Sequence, residues 1–213
     1  MTGDRSKRIR TNVQRVLRDF SLTEEESTPS AIYDAVSRVQ RKIAEESMCL
    51  EGKTEITTYA DQELYPLPSD FLADKQLIPS DSTVELQKVN LDYVDKLKRQ
   101  LSESSSASDL YYYYIWNSQI GLLTSTGTAP SAESTVNFYY WRTPDDSETP
   151  SDTVDPVLEP RWDTALWYGA MSDLTLDSKW VQMAEAEYQR VRRLQVALGV
   201  ESGEVYPTGA YDY

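Results

Sequence analysis

The sequence predicts an α+β fold in which N- and C-terminal helices form a helical bundle with an inserted antiparallel β-sheet. Three observations predict it. Two stripes of apolar residues at helical spacing occupy the first 48 residues, a tyrosine-rich stretch of strand character fills the middle, and helical spacing returns after Pro160.

The first helix carries Ile9, Val13, Val16, Leu17 and Phe20 on one face. The second starts at Thr28 as N-cap with Pro29 in its first turn, carries Ile32, Val36, Val39 and Ile43, and is expected to end near Met48, stopped by Gly52. The acidic loop Glu24–Glu26 joins the two as an antiparallel hairpin. Lys53–Tyr59 and Glu63–Leu67 then read as short strands, closed by Pro66 and Pro68, and Thr83–Val89 reads as another. Asn90 caps a short helix bearing Leu91, Val94, Leu97 and Leu101, and Ser102–Ser108 forms a Ser-rich linker. Tyr111–Trp116, a turn at Asn117-Ser118, Gln119–Thr124 and, after a Gly/Pro/Ser loop, Val136–Trp141 predict a three-stranded antiparallel meander.

Residues 142–157 are acidic and punctuated by proline, which predicts a solvated loop. Pro160 opens a helix with Trp162, Ala165, Leu166, Gly169 and Ala170, apolar around much of its girth and so expected to be the most buried. Asp177 or Ser178 caps the last helix, whose stripe is Val181, Ala184, Tyr188, Val191, Leu194 and Leu198, with Gly199 ending it. The expected organisation is a single domain over 1–199, with the bundle formed by 5–48 and 160–198 and the β-rich insertion by 53–141. An extended tail, 200–213, follows. It is too polar to fold alone yet carries spaced aromatics, as in segments that fold on a partner, the alternative being a disordered end.

Composition narrows the chemistry. The 213 residues include no histidine and one cysteine, Cys49. That removes Ser-His-Asp and Cys-His catalysis, intrachain disulfides and the Cys/His zinc patterns. Cys49 is expected as a small buried residue at a helix end. P-loop, GxGxxG and EF-hand patterns are absent, and Asp145, Asp146, Glu148, Asp152 and Asp155 lack the rhythm and central glycine of a calcium loop. Carboxylate chemistry needs only two acids beside aromatic platforms, such as Asp109 near Tyr111–Tyr114, or Glu159 and Asp163 near Trp162. A glycan-binding or peptidoglycan-cleaving tail-associated protein is therefore the alternative function, which clearing of cell-wall substrate in a zymogram would reveal. The leading expectation is a protein that is not an enzyme and uses no cofactor or metal.

The net charge is −14, unevenly spread: residues 1–20 hold +4 and the remainder −18. The body should repel duplex DNA, whose binding requires cations to replace phosphate counterions. The basic first helix either seats on an acidic patch of a neighbouring copy or faces solvent. No run reaches the roughly 18 apolar residues of a membrane span, and no export signal is visible, so the expected setting is intracellular, without a membrane. Fifteen tyrosines and five tryptophans combine apolar area with polar tips, suited to surfaces buried on assembly as well as to ordinary sheet positions.

One ordered set of segments carries a resemblance. A helical hairpin precedes Tyr65-Pro66-Leu67-Pro68-Ser69-Asp70-Phe71-Leu72; then come Tyr113-Tyr114-Ile115-Trp116 and Ile120-Gly121-Leu122-Leu123, Val136–Arg142, an acidic Pro-rich loop, and Pro160-Arg161-Trp162-Asp163-Thr164-Ala165-Leu166. Across roughly residues 5–198 this order resembles the bacteriophage head-to-tail adaptor (connector) proteins. The resemblance implies a structural subunit, made in the host bacterial cytoplasm and placed in the virion neck. There, twelve copies would ring the underside of the portal protein, extend the DNA channel and hold the tail or nozzle proteins. Genomic duplex DNA would pass through without specific binding. It further implies that the tail runs along the portal, which makes Val205, Tyr206, Pro207, Tyr211 and Tyr213 the candidate portal-binding residues. Arg8, Arg15, Arg161 and Trp162 are the candidates for contacts between subunits, and an isolated chain is expected to be a monomer.

Overall fold

The computed structural model describes residues 3–18, 28–100, 109–131 and 133–197. Phe20, the loop Glu24–Glu26, the Ser-rich linker, Leu198, Gly199 and the tail lie outside the described residues. The fold is α+β, and the chain divides into two compact units, one of Met1–Leu50 with Thr143–Tyr213 and one of Glu51–Arg142.

The first unit is helical: α1 (Asp4–Leu17), α2 (Pro29–Ser47), α4 (Asp163–Thr175) and α5 (Ser178–Ala197), with α3 (Leu91–Gln100) belonging to the other unit. Its core is built from the predicted stripes, Ile9, Val13 and Leu17 of α1, Ile32, Val36 and Ile43 of α2, Ala165, Leu166 and Ala170 of α4, and Tyr188 and Val191 of α5, joined by Met171 of α4. Thr28 caps α2 by accepting a hydrogen bond from the Ala31 amide (3.2 Å), with Pro29 in the first turn as expected. The helix stops at Met48, which takes the left-handed conformation, and not at Gly52. Asp177 is the cap of α5, accepting from the Lys179 amide at 2.9 Å. The stripe predicted on α5 is only partly inward: Val181 and Leu194 are exposed, and Trp180 takes the buried place instead.

The second unit contains β1 (Glu51–Thr57), β2 (Leu64–Pro66), β3 (Phe71–Pro79), β4 (Gln87–Lys88), α3 (Leu91–Gln100), β5 (Leu110–Trp116), β6 (Gln119–Thr124) and β7 (Thr135–Arg142). They form two sheets, in the orders β1-β7-β3 and β2-β6-β5-β4. The predicted three-stranded meander is corrected here. β5 and β6 pair through a turn in which Asn117 and Ser118 both have positive φ, but β7 leaves them and becomes the centre of the other sheet. The second sheet is mixed, because the short β4 pairs parallel to β5; of the strand expected at Thr83–Val89 only Gln87–Lys88 is in the ladder. β3, by contrast, was not legible as a strand. Two register shifts break its alternation, and it contains Asp74 and Lys75 and ends on Pro79.

The inner faces of the two sheets share one core, with Ile56, Leu77, Val136, Phe138 and Tyr140 from the first and Tyr65, Tyr113, Ile120 and Leu122 from the second. Val94 of α3 packs with Tyr114 and Leu123 as a separate small cluster, and Asn90 caps α3 by accepting from the Tyr93 amide at 2.8 Å. Gly52 and Gly121 each lie directly across the ladder from a tyrosine, Tyr140 and Tyr114. A Cβ at Gly52 would sit 2.6 Å from the Tyr140 ring, and one at Gly121 would sit 2.1 Å from the Tyr114 ring, so each ring lies over bare backbone.

Candidate functional site

The basic helix has a partner that neither sequence reading named: the acidic segment of its own chain. α1 begins at Gly3, in the left-handed conformation and without a side-chain cap. Its orphan amides are met from far away, because Asp155 Oδ1 accepts from the Arg5 and Ser6 amides at 2.8 and 3.1 Å. Gly3 is required twice over, by its φ of 61° and because a Cβ there would meet the Asp152 carbonyl at 2.3 Å. The Ser6 hydroxyl donates to the Val154 carbonyl at 2.6 Å. Arg5 then spans the rest of the segment, donating to the carbonyls of Pro156 (3.0 Å) and Leu158 (2.9 Å) and to Asp163 Oδ1 (2.6 Å).

The other charges of this face follow suit. Arg8 pairs with the second oxygen of Asp163, and Arg10 pairs with Asp152 at 2.6 Å. Asp152 also accepts from the Tyr33 hydroxyl at 2.7 Å; burial, and then this carboxylate, push the Tyr33 phenol up to about 12. From α2, the fully buried Gln40 accepts the Val157 amide at 2.9 Å. The segment expected to be solvated is therefore strapped onto the bundle, with Pro144, Pro150, Pro156 and Leu158 buried. Asp145, once weighed as part of a calcium loop, instead caps the short 3-10 turn Asp146–Glu148. Among the described residues no cluster of three or more potential metal ligands occurs.

The candidate interface residues fall into different places. Arg15 is exposed and forms no ion pair among the described residues, whereas the Arg8 guanidinium is engaged with Asp163. Arg161 pairs with Glu159 beside it. Trp162 is 1% exposed and packs 5.8 Å from Tyr188 in the bundle core, which takes it off the surface. Glu159 and Asp163, the acids considered for carboxylate chemistry, are thus both held by arginines. Cys49 is half-buried, less than expected, and its thiol is pushed up chiefly by desolvation. Val205, Tyr206, Pro207, Tyr211 and Tyr213 lie outside the described residues.

In the β unit the tyrosines divide by role. Tyr113 donates to Asp74 (2.7 Å), Tyr140 to Asp70 (3.0 Å) and Tyr114 to Glu63. Asp74 is also paired with Lys88 at 2.6 Å, and Glu63 with Lys98 at 2.7 Å. Burial first, and these carboxylates second, push Tyr140 up to about 12 and Tyr113 and Tyr114 well above the ordinary phenol range. These phenols stay protonated as donors and tie the sheets and α3 together. None of these long-range pairings has a signal in the sequence. By contrast Tyr59, Tyr93, Tyr111 and Trp116 are exposed, Trp116 at the tip of the β5–β6 hairpin; Tyr93, Tyr112 and Tyr111 form a run of edge-on rings. Exposed aromatics of this kind suit contact surfaces.

The bundle surface also carries a cleft of about 180 Å³ between α2, α4 and α5, whose apolar lining is Val39, Ile43, Ala165, Gly169, Val181 and Ala184. A family model described as SU10 adaptor protein matches residues 7–210 of this chain, which includes most of the C-terminal segment. No curated protein matches it.

Proposed function

This chain belongs to the SU10 adaptor protein family, and on that premise we propose that it is the head-to-tail adaptor of a tailed bacteriophage, forming a ring beneath the portal protein in the virion neck. The single observation that carries the reading is the family match over nearly the whole chain. Family membership makes it a structural adaptor, associated with portal and tail components. The ring of twelve, the DNA channel and the tail platform are our proposal.

The physical chemistry supports that role. Twelve copies at −14 would sum to a ring charge on the order of −170, so duplex DNA would pass an acidic lumen without adhering. The buried tyrosine–carboxylate pairs stiffen the β unit, while Tyr59, Tyr111 and Trp116 remain exposed for contacts with neighbours. No helix among the described residues is long and apolar enough to cross a membrane.

We assign portal docking to residues 200–213, with Val205, Tyr206, Pro207, Tyr211 and Tyr213 as its anchors. Deleting this segment should weaken binding to purified portal by about thirtyfold or more, the equivalent of one aromatic hot spot worth roughly 2 kcal/mol. Unchanged binding would remove the tail from the scheme. The proposal as a whole is tested by electron cryo-microscopy of virions, which should place the chain between portal and tail; density elsewhere would overturn it.

A further inference from the structure

The corner between α4 and α5 holds an anomaly. Leu176 ends α4 in the left-handed conformation, φ 53° and ψ 20°, a position that glycine commonly fills because a side chain there is strained. The side chain gains nothing from its own fold in return, since Leu176 is 86% exposed. A strained residue carrying a fully presented apolar side chain calls for a contact outside the chain.

The bundle cleft supplies a complementary site. At about 180 Å³ it is smaller than the roughly 300–1,000 Å³ of ordinary small-molecule pockets, and it suits one large side chain. Part of its lining is apolar. Tyr188 lines it and is 7% exposed, and its buried hydroxyl has no hydrogen-bond partner among the described residues. Burial pushes its phenol up, against the opposing charge of Arg192, and Glu46 and Glu185 of the same cleft add to the rise.

Charge matches as well. Of the rim carboxylates, Asp173 is held by Arg38 and Glu46 faces Lys42 at 3.8 Å, whereas Glu185 has no cationic partner among the described residues. Beside Leu176, Lys179 is exposed, lies 5.3 Å over the Trp180 ring and makes no ion pair among the described residues.

We propose that Leu176 is a knob that enters the α2–α4–α5 cleft of a second copy of this chain, with Lys179 meeting Glu185. Knob and hole lie on the helical unit, so the contact needs no particular placement of the β unit. Repeated head to tail, it is a heterologous contact of the type that closes into rings. The inference deepens the reading of the chain as a ring subunit and rests on that reading for its setting.

The test uses full-length chains in a Cys49→Ser background. Leu176→Cys and Val181→Cys proteins are mixed up to millimolar concentration and oxidised. The mixed dimer should form about tenfold or more faster than in a mixture of Ser80→Cys with Val181→Cys, because the contact raises local thiol concentration. A rate equal to that control would overturn the proposal. Independently, Leu176→Gly should raise the melting temperature by releasing the strain while lowering the sedimentation-measured self-association. A higher melting temperature with unchanged association would also overturn it. Virion imaging reports separately on the ring: a cross-link without neck density would sink the adaptor reading and leave the contact standing.

Discussion

Arg5 ties α1 to the strapped segment, because one guanidinium closes on two carbonyls and a carboxylate while its amide is capped by Asp155. Arg5→Ala would leave Asp163 with only Arg8 and strip partners from the Pro156 and Leu158 carbonyls. We expect a loss of about 3 kcal/mol, read from urea unfolding. Arg8→Ala, at a largely solvated side chain, should cost less than about 1 kcal/mol in the same assay. Gly121 is the second sensitive position. Gly121→Ala must push aside the Tyr114 ring, and with it the bond to Glu63, for a cost of about 2 kcal/mol in thermal or chemical unfolding. Neither residue stands out in the sequence. Arg5 is one of six cations in the first twenty residues, and the ring over Gly121 belongs to a strand that the sequence shows only as a neighbour.

Among the elements, the helices and the β5–β6 hairpin were legible and the rest of the sheet pairing was not. Thr28-Pro29 and Asn90 act as caps where the sequence places them, because capping depends on residues only a few positions apart. α1 is the exception: its cap comes from Asp155, 150 residues away. The same distance explains why the segment after residue 142 reads as solvated. Its acids look free until α1 and α2 fold against them. β3 was missed because its bulges erase the period-2 signal, and β7 was assigned to the wrong neighbours because a strand's alternation says which face is buried but not which strand lies beside it. The tyrosine–carboxylate pairs give these elements an alkaline limit. Tyr33 and Tyr140 are raised from 10.0 to about 12, so the folded chain holds those protons more tightly than the unfolded one. Their stabilisation is whole below pH 10 and is lost as pH rises through about 12. Unfolding midpoints should be insensitive to these groups near neutrality and fall across that window, while tyrosinate absorbance should lag behind that of the unfolded chain.

At the scale of the molecule, charge acts in two ways. Of the six cations in residues 1–20, Arg5, Arg8 and Arg10 are paired within the chain by Asp163 and Asp152, while Lys7, Arg15 and Arg18 are exposed, and the body is strongly acidic. We therefore expect full-length protein to show no measurable retention on duplex DNA at physiological salt, assayed by gel shift; binding there would contradict an acidic, non-adhesive channel. What the sequence determined by itself was the class of fold, the helices with their inward stripes, and the family, since periodicity, caps and the order of segments are local or linear properties. What only the tertiary structure decided was every partnership across long separations: two sheets in place of a meander, Trp162 in the core, a basic helix neutralised by its own chain, and a leucine left standing in solvent at the α4–α5 corner. The physical reason is that a stripe or a charge fixes what a residue needs, a partner of opposite sign or a dry surface, while many partners along the chain satisfy that need equally until folding brings one of them within hydrogen-bond distance.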